Sequence, residues 1–130
     1  MEKELLNTFD KELLLKDILA RLPYGVIVLT EKGKGHICDI NLTMFGAEIG
    51  VNINPTARDT FSIDDIKPYL FPLSSMTDEQ EKEYNDLNCY ELGCFPHTES
   101  ALDYLIKNQF DFRCLIPKGL AIDATGLNIY

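Results

Sequence analysis

Cys89, Cys94 and His97 stand in a C-x4-C-x2-H spacing and His36 and Cys38 in an H-x-C spacing, so thiolate and imidazole ligands for a zinc ion are present in number. Neither spacing is that of a zinc knuckle. Cysteine is among the most buried residue types, and His36 and Cys38 fall on the strand face that carries core residues, so packing is their expected role. Cys94 and His97 are close enough in sequence to act as nucleophile and base. A reactive thiolate needs a cationic neighbour or a helix N-terminus, however, and the segment around this pair is acidic, which raises a thiol pKa. Ser74 and Ser75 precede a helix start and read as turn and capping residues, with no nucleophile elbow around them. Gly33 and Gly35 have no helix behind them and no lysine and hydroxyl pair, so they do not make a phosphate loop. The expectation is a non-enzymatic chain, with no catalytic residue, metal or cofactor.

Charge placement is more informative. The formal net charge is −9, and between Thr77 and His97 six acids face one base, giving −5 of that total. Glu79, Glu83 and Asp86 fall at i, i+4 and i+7 on one face of a helix, with Tyr84 and Leu87 turned to another. Such a row is commonly a solvated face. Its sharper use is to meet a basic protein surface, or to imitate the phosphate spacing of DNA against a nucleic-acid-binding protein. Direct nucleic-acid binding is not expected, because no cluster of Lys and Arg is present to displace counterions.

The elements that must hold these residues can be read from periodicity. Residues 1–22 repeat apolar positions at helical spacing (Leu6, Phe9, Leu13, then Leu14, Ile18, Leu22), and Pro23 with Gly25 ends that helix. Residues 25–30 are a short β-branched strand, 31–35 a flexible hairpin connection, and 36–44 a second strand. There His36, Cys38, Ile40, Leu42 and Met44 share one face and Ile37 is out of phase. Ala47, Ile49, Val51 and Ile53 alternate against Glu48, Gly50 and Asn52 as a third strand. Residues 54–59 read as a turn-rich connection and 61–73 as a short strand or irregular segment. Pro68 and Pro72 fix φ there, displaying Tyr69, Phe71 and Leu73 either into the core or as anchors for a partner. Thr77 and Gln80 form a capping box for the acidic helix. Gly93 and Pro96 break the chain, and Thr98 caps a last helix with Ala101, Leu102, Leu105 and Ile106 on its apolar face, stopping near Asn108. Phe110, Phe112 and Cys114 alternate with Asp111 and Arg113, and residues 120–124 are a final apolar run.

With 45% hydrophobic and 25% charged residues, the 130-residue chain is expected to be one α+β domain, residues 1–130. The expected architecture is a small antiparallel sheet of three to five strands, able to curl into a barrel-like unit, with an N-terminal helix and two further helices. Charges interrupt the first helical region too often for a membrane span or signal-peptide core. Four scattered cysteines suit reduced thiols in a cytoplasm better than a disulfide framework.

The runs LARLPYGVIV, SIDDIKPYLFPLSSMTDEQEKEY and LDYLIKNQFDFRCLIPKGLAIDATGLNIY resemble a family of short uncharacterised proteins of phages, prophages and mobile elements of gut bacteria. That family typically pairs LPYGV with IKPYLRPMSSMT and a closing FDYRGLIEKGLA. Here Phe71 stands for the usual Arg, Cys114 for the Gly after Arg113, and Pro117 for an acid. The likeness follows the order of the whole chain and is strongest over residues 66–81 and 102–124. It implies provenance and fold, and transfers no catalytic residue.

Charge and resemblance together lead to one functional expectation: a cytoplasmic accessory protein of a phage or mobile element, binding a host or phage protein with a basic surface. Glu79, Glu83 and Asp86 would supply charge and Tyr69 and Phe71 apolar anchorage, with no membrane association. The alternative is a small-ligand or nucleotide-binding protein that sequesters its ligand in a pocket between sheet and helices.

Overall fold

The computed structural model describes residues 7–44, 46–54, 57–88 and 98–130. Among them lie three helices and seven strands, an α+β chain whose strand pairing is mostly antiparallel, with more strands than the three to five expected. The chain divides into two compact units, residues 1–69 with Tyr130, and residues 70–129.

In the first unit, helix α1 (Thr8–Arg21) starts at Asn7, whose side chain accepts from the Asp10 backbone N–H at 2.8 Å. The part of the expected helix before Asn7 lies outside the described residues. Pro23 sits second in a tight turn at Leu22–Tyr24 that closes on Gly25, and the φ of +71° there is one that glycine adopts freely. The buried stripe of α1 is Leu14, Asp17, Ile18 and Arg21, whereas Phe9 and Leu19 face solvent.

Strands β1 (Ile27–Thr30), β2 (Gly33–Thr43), β3 (Gly46–Asn54) and β4 (Ala57–Ser62) form an antiparallel meander. The start of β5 (Lys67–Pro72) adds antiparallel to β1, through Val28 opposite Pro68 and Leu29 opposite Lys67. The order is therefore β4-β3-β2-β1-β5, and β4 pairs only with β3 among the described residues, so the sheet is open and not a barrel. Of segment 54–59, expected as a turn, Asn54 ends β3 and residues 57–59 open β4. The polar run Arg58, Asp59 and Thr60 is held extended by pairing with Val51, Asn52 and Gly50, a tertiary contact that overrides local propensity.

The β1–β2 and β2–β3 hairpins use one device. Thr30 opposes Gly33 and Thr43 opposes Gly46, and each threonine hydroxyl donates to the carbonyl of its glycine, at 2.8 and 2.9 Å. Gly33 and Gly46 have φ of +121° and +119°, values that a side chain would strain.

A bulge at Cys38 changes the phase of β2. Ile37 opposes Val51 and Ile40 opposes Ile49, so Ile37 and Ile40 share the core face, while the inserted residue lets Asp39 oppose Gly50 on the other. Ile37 is therefore the buried residue rather than the exception, and His36 and Cys38 are exposed, opposite to the packing role expected for them. The core of this unit is Leu14 and Ile18 from α1 with Val26, Val28, Ile37, Ile49, Val51, Phe61, Ile63 and Ile66.

In the second unit, the end of β5 pairs in parallel with β6 (Phe110–Asp111), placing Phe71 opposite Phe110, and β5 also pairs with β7 (Ile122–Asp123). Helices α2 (Asp78–Asn88) and α3 (Glu99–Lys107) pack together, with the Tyr84 and Tyr104 rings 6.3 Å apart. Leu70, Ala101, Leu105, Ile106, Phe110, Phe112, Leu115, Leu120 and Ala124 fill the core. Asp111, read from alternation as solvent-facing, is buried. Its two carboxylate oxygens accept the backbone N–H groups of Leu115 and Ile116, both at 2.9 Å, which satisfies donors that the turn leaves unpaired.

Candidate acidic interface

Helix α2 begins with the reciprocal capping box expected from Thr77 and Gln80. The Thr77 backbone N–H donates to Gln80 Oε1 at 2.9 Å, and the Gln80 N–H donates to Thr77 Oγ1 at 3.1 Å. Two orphan donors of the first turn are satisfied, and Asp78, Glu79 and Glu81 sit at the positive end of the helix dipole. A second hydroxyl links the helices. Thr98 Oγ1 accepts the Ala101 N–H at 3.0 Å to cap α3 and donates to the Leu87 carbonyl near the end of α2 at 2.7 Å.

This framework leaves Glu79, Glu83 and Asp86 all exposed, while Tyr84 is 4% exposed and holds the opposite side of α2 to α3. The row rises about 1.5 Å per residue, so its carboxylates step along roughly two turns. Glu83 is anchored: Tyr104 on α3 donates its hydroxyl to Glu83 Oε2 at 3.0 Å, with the Gln80 carbonyl within reach at 3.4 Å. Burial, followed by the hydrogen bond and charge of Glu83 and the charge of Glu79, pushes the Tyr104 phenol up to about 12. Tyr104 was not singled out from the sequence. Residues 70–129 hold ten acids and four bases, −6 of the chain's −9.

The expected apolar anchors do not join this row as surface groups. Phe71 is half-buried, its ring 6.3 Å from that of Phe110. Tyr69 belongs to the first unit and is only 7% exposed, so it packs rather than projects. Ser75 donates to the Pro72 carbonyl at 2.7 Å, a turn role. Cys89, Cys94 and His97, the remaining ligand or nucleophile candidates, lie outside the described residues. Among the described residues no group of three or more His, Cys, Asp or Glu side chains is placed to hold a metal ion.

The solvent face of the first unit carries a polar cluster that sequence reading missed. Arg58 on β4 reaches over Gly50 on β3 to Asp39 on β2, with Nε at 2.7 Å from Oδ2, and also donates from Nη1 to Thr60 Oγ1 at 3.1 Å. The Cys38 thiol lies 3.3 Å from the Gly50 carbonyl and 3.7 Å from Asp39 Oδ2. Arg58 holds the Asp39 carboxyl below its usual range, chiefly by hydrogen bonding, and Asp39 raises Arg58 in turn. Gly50 is what allows the crossing, since a Cβ there would meet both Asp39 Oδ1 and, at 2.5 Å, Arg58 Nη2. With both charges turned on each other at the surface, the cluster bolts three strands together and presents little unsatisfied charge to a ligand.

A groove of about 210 Å³ opens in the first unit between α1 and the start of β3, lined by Lys11, Glu12, Leu15, Gly46, Ala47, Ser62, Ile63 and Asp64. No described helix is long and apolar enough to cross a membrane. Comparisons of the chain with protein-family profiles, curated proteins and solved structures return no match.

Proposed function

We propose that this is a non-enzymatic accessory protein of a phage or mobile element that acts in the cytoplasm by binding a protein with a basic surface. The observation that carries this reading is the exposed carboxylate row Glu79, Glu83 and Asp86 on a helix whose start is fixed by a capping box and whose central acid is fixed by Tyr104. Side chains held in place before binding lose less conformational entropy when a partner arrives, and a single-signed field speeds encounter with the opposite sign. Phe71, half-buried, supplies a limited apolar border, and Tyr69 drops out of the contact set because it is core. The phage or mobile-element origin rests on the resemblance of the sequence runs alone.

The test is quantitative affinity capture from the native host with the wild-type chain and a Glu79→Lys, Glu83→Lys, Asp86→Lys variant, followed by native mass spectrometry of the recovered complexes. The reading expects a stoichiometric protein adduct on the wild type that the variant loses while keeping its circular dichroism. A variant that retains every adduct of the wild type sinks the proposal. A bound small molecule on both proteins, without a protein partner, would turn the reading to the sequestering alternative.

A further inference from the structure

The outer sheet face of the first unit carries charge of the opposite sign to α2. Leu29 on β1 lies directly opposite Lys34 on β2 and Lys67 on β5, so the three side chains form one row across three strands. The row faces away from the core side, where Val28 and Pro68 are buried. Leu29 is 38% exposed and both lysines are exposed. Lys11, Arg21, Lys32 and Arg58 of this unit each face an acid. Lys34 and Lys67 face none among the described residues. The adjoining row on the same face, Ile27, His36 and Asn52, adds no acid.

Two unpaired cations astride an apolar side chain restrict what can cover them. Adjacent strands lie about 4.8 Å apart, so the backbones at Lys34 and Lys67 are about 10 Å apart with Leu29 midway. Their complement is two carboxylates at that separation on one rigid element. Nucleic acid and anionic membranes are poor matches, because polyanions are held through many cationic contacts and a chain of net charge −9 repels them. Helix α2 of a second copy supplies the complement. Glu79 and Asp86 stand seven residues apart on one face, about 10 Å along the axis at about 1.5 Å per residue. Both are exposed and without an ion pair among the described residues, whereas Glu83 between them is turned to Tyr104.

We infer that α2 of one copy docks on the Lys34, Leu29 and Lys67 row of another, with Glu79 against one lysine, Asp86 against the other and Leu29 beneath the helix between them. This rests on the reading of the acidic row as a binding surface and adds its regulation: self-docking occupies the row until a more basic protein displaces the second copy. The two surfaces differ, so the contact is heterologous and copies add head to tail. Its ion pairs are exposed, so they weaken as the Debye length falls from about 10 Å at 0.1 M salt to about 3 Å at 1 M.

Sedimentation velocity of the full chain across a concentration series tests this. One variant carries Lys34→Glu and Lys67→Glu, a second Glu79→Lys and Asp86→Lys, and a third all four changes. The wild type is expected to rise above protomer mass with concentration at about 0.1 M salt and to return to it at about 1 M. Each two-residue variant alone opposes like charges and should stay at protomer mass. Their equimolar mixture, and the four-residue variant, set opposite charges together again and should associate. Protomer mass at every concentration for the wild type, or for the four-residue variant with an unchanged circular dichroism spectrum, would overturn the proposal; where the four-residue variant does not fold, the mixture decides in its place. A protomeric chain that binds phosphatidylserine vesicles through Lys34 and Lys67 would overturn it as well. The functional reading fails separately: a host protein captured by the Lys34→Glu, Lys67→Glu variant and lost on reversal of the acidic row upholds that reading even where the wild type sediments as a protomer.

Discussion

Tyr104 on α3 donates its hydroxyl to Glu83 on α2 at 3.0 Å, so an exposed carboxylate on one helix is oriented by a phenol on the next. The bond joins the helix pairing of the second unit to the charge it displays. A Tyr104→Phe substitution should therefore leave the α2 and α3 packing largely intact while freeing the Glu83 rotamer. Its readout is the affinity for a captured basic partner, which should weaken by about two- to tenfold, in line with the net worth of one ordinary hydrogen bond.

Alkaline pH should expose the same bond. Tyr104 and Tyr130 are both raised from 10 to about 12, mainly by burial. The folded state holds these two protons more tightly than the unfolded chain does. Stability is therefore fully present below about pH 10 and falls as pH rises toward 12. Phenolate absorbance titration should show Tyr104 and Tyr130 ionising late, and Tyr104→Phe should remove one of these two late steps.

The α1 pair Asp17 and Arg21 is fully buried, with Arg21 Nε at 2.8 Å and Nη2 at 3.1 Å from the two carboxylate oxygens. Removing one partner leaves an uncompensated charge in the core. Asp17→Asn is expected to cost about 3–5 kcal/mol by urea denaturation, and the double change Asp17→Leu, Arg21→Met to recover most of that loss. A double variant no better than the single one would contradict this account.

Gly35 on β2 faces the core with no room for a side chain, because a Cβ would meet the Asn52 carbonyl oxygen and Val51 Cγ1, each at 2.7 Å. The obstructing oxygen is backbone and cannot swing aside. Gly35→Ala should destabilise the first unit by about 1–3 kcal/mol, seen as a lower denaturation midpoint.

Cys114 is exposed and adopts a φ of +59°, which costs a residue with a side chain about 1–2 kcal/mol. Cys114→Gly should remove that strain at some cost in unfolded-state entropy, for a net gain of up to about 1 kcal/mol in thermal or urea unfolding.

Local signals are legible in the sequence of this chain and phase changes are not. Thr77 with Gln80, Thr98 before Ala101, Asn108 at the end of α3 and Pro23 after α1 act through neighbours within four residues, so their roles are visible in the sequence. The Cys38 bulge is invisible there, because the extra residue is defined by its partners on β3, and one shift of phase reversed the reading of His36, Ile37 and Cys38. Strand β4 was hidden for the same reason: Arg58, Asp59 and Thr60 have turn-like composition and become a strand only beside β3. Asp111 and Asp17 show a further limit, since an acid is assigned to water until its buried partners are known. The acidic row was legible as helical spacing, but its fixation by Tyr104 depends on a helix sixteen or more residues away.

The Tyr130 hydroxyl accepts the Ile27 N–H at 3.0 Å and donates to the Tyr69 carbonyl at 2.7 Å. Those two residues are the next step of the register that pairs Val28 with Pro68 and Leu29 with Lys67, so a phenol oxygen serves as a rung of the β1 and β5 ladder where a bound water could otherwise stand. The Ile27 amide proton is consequently a spectroscopic gauge. Its deuterium-exchange rate reports how long Tyr130 stays seated, while Ile37, whose N–H bonds directly to the Val26 carbonyl at 3.2 Å, supplies the clock against which it can be read.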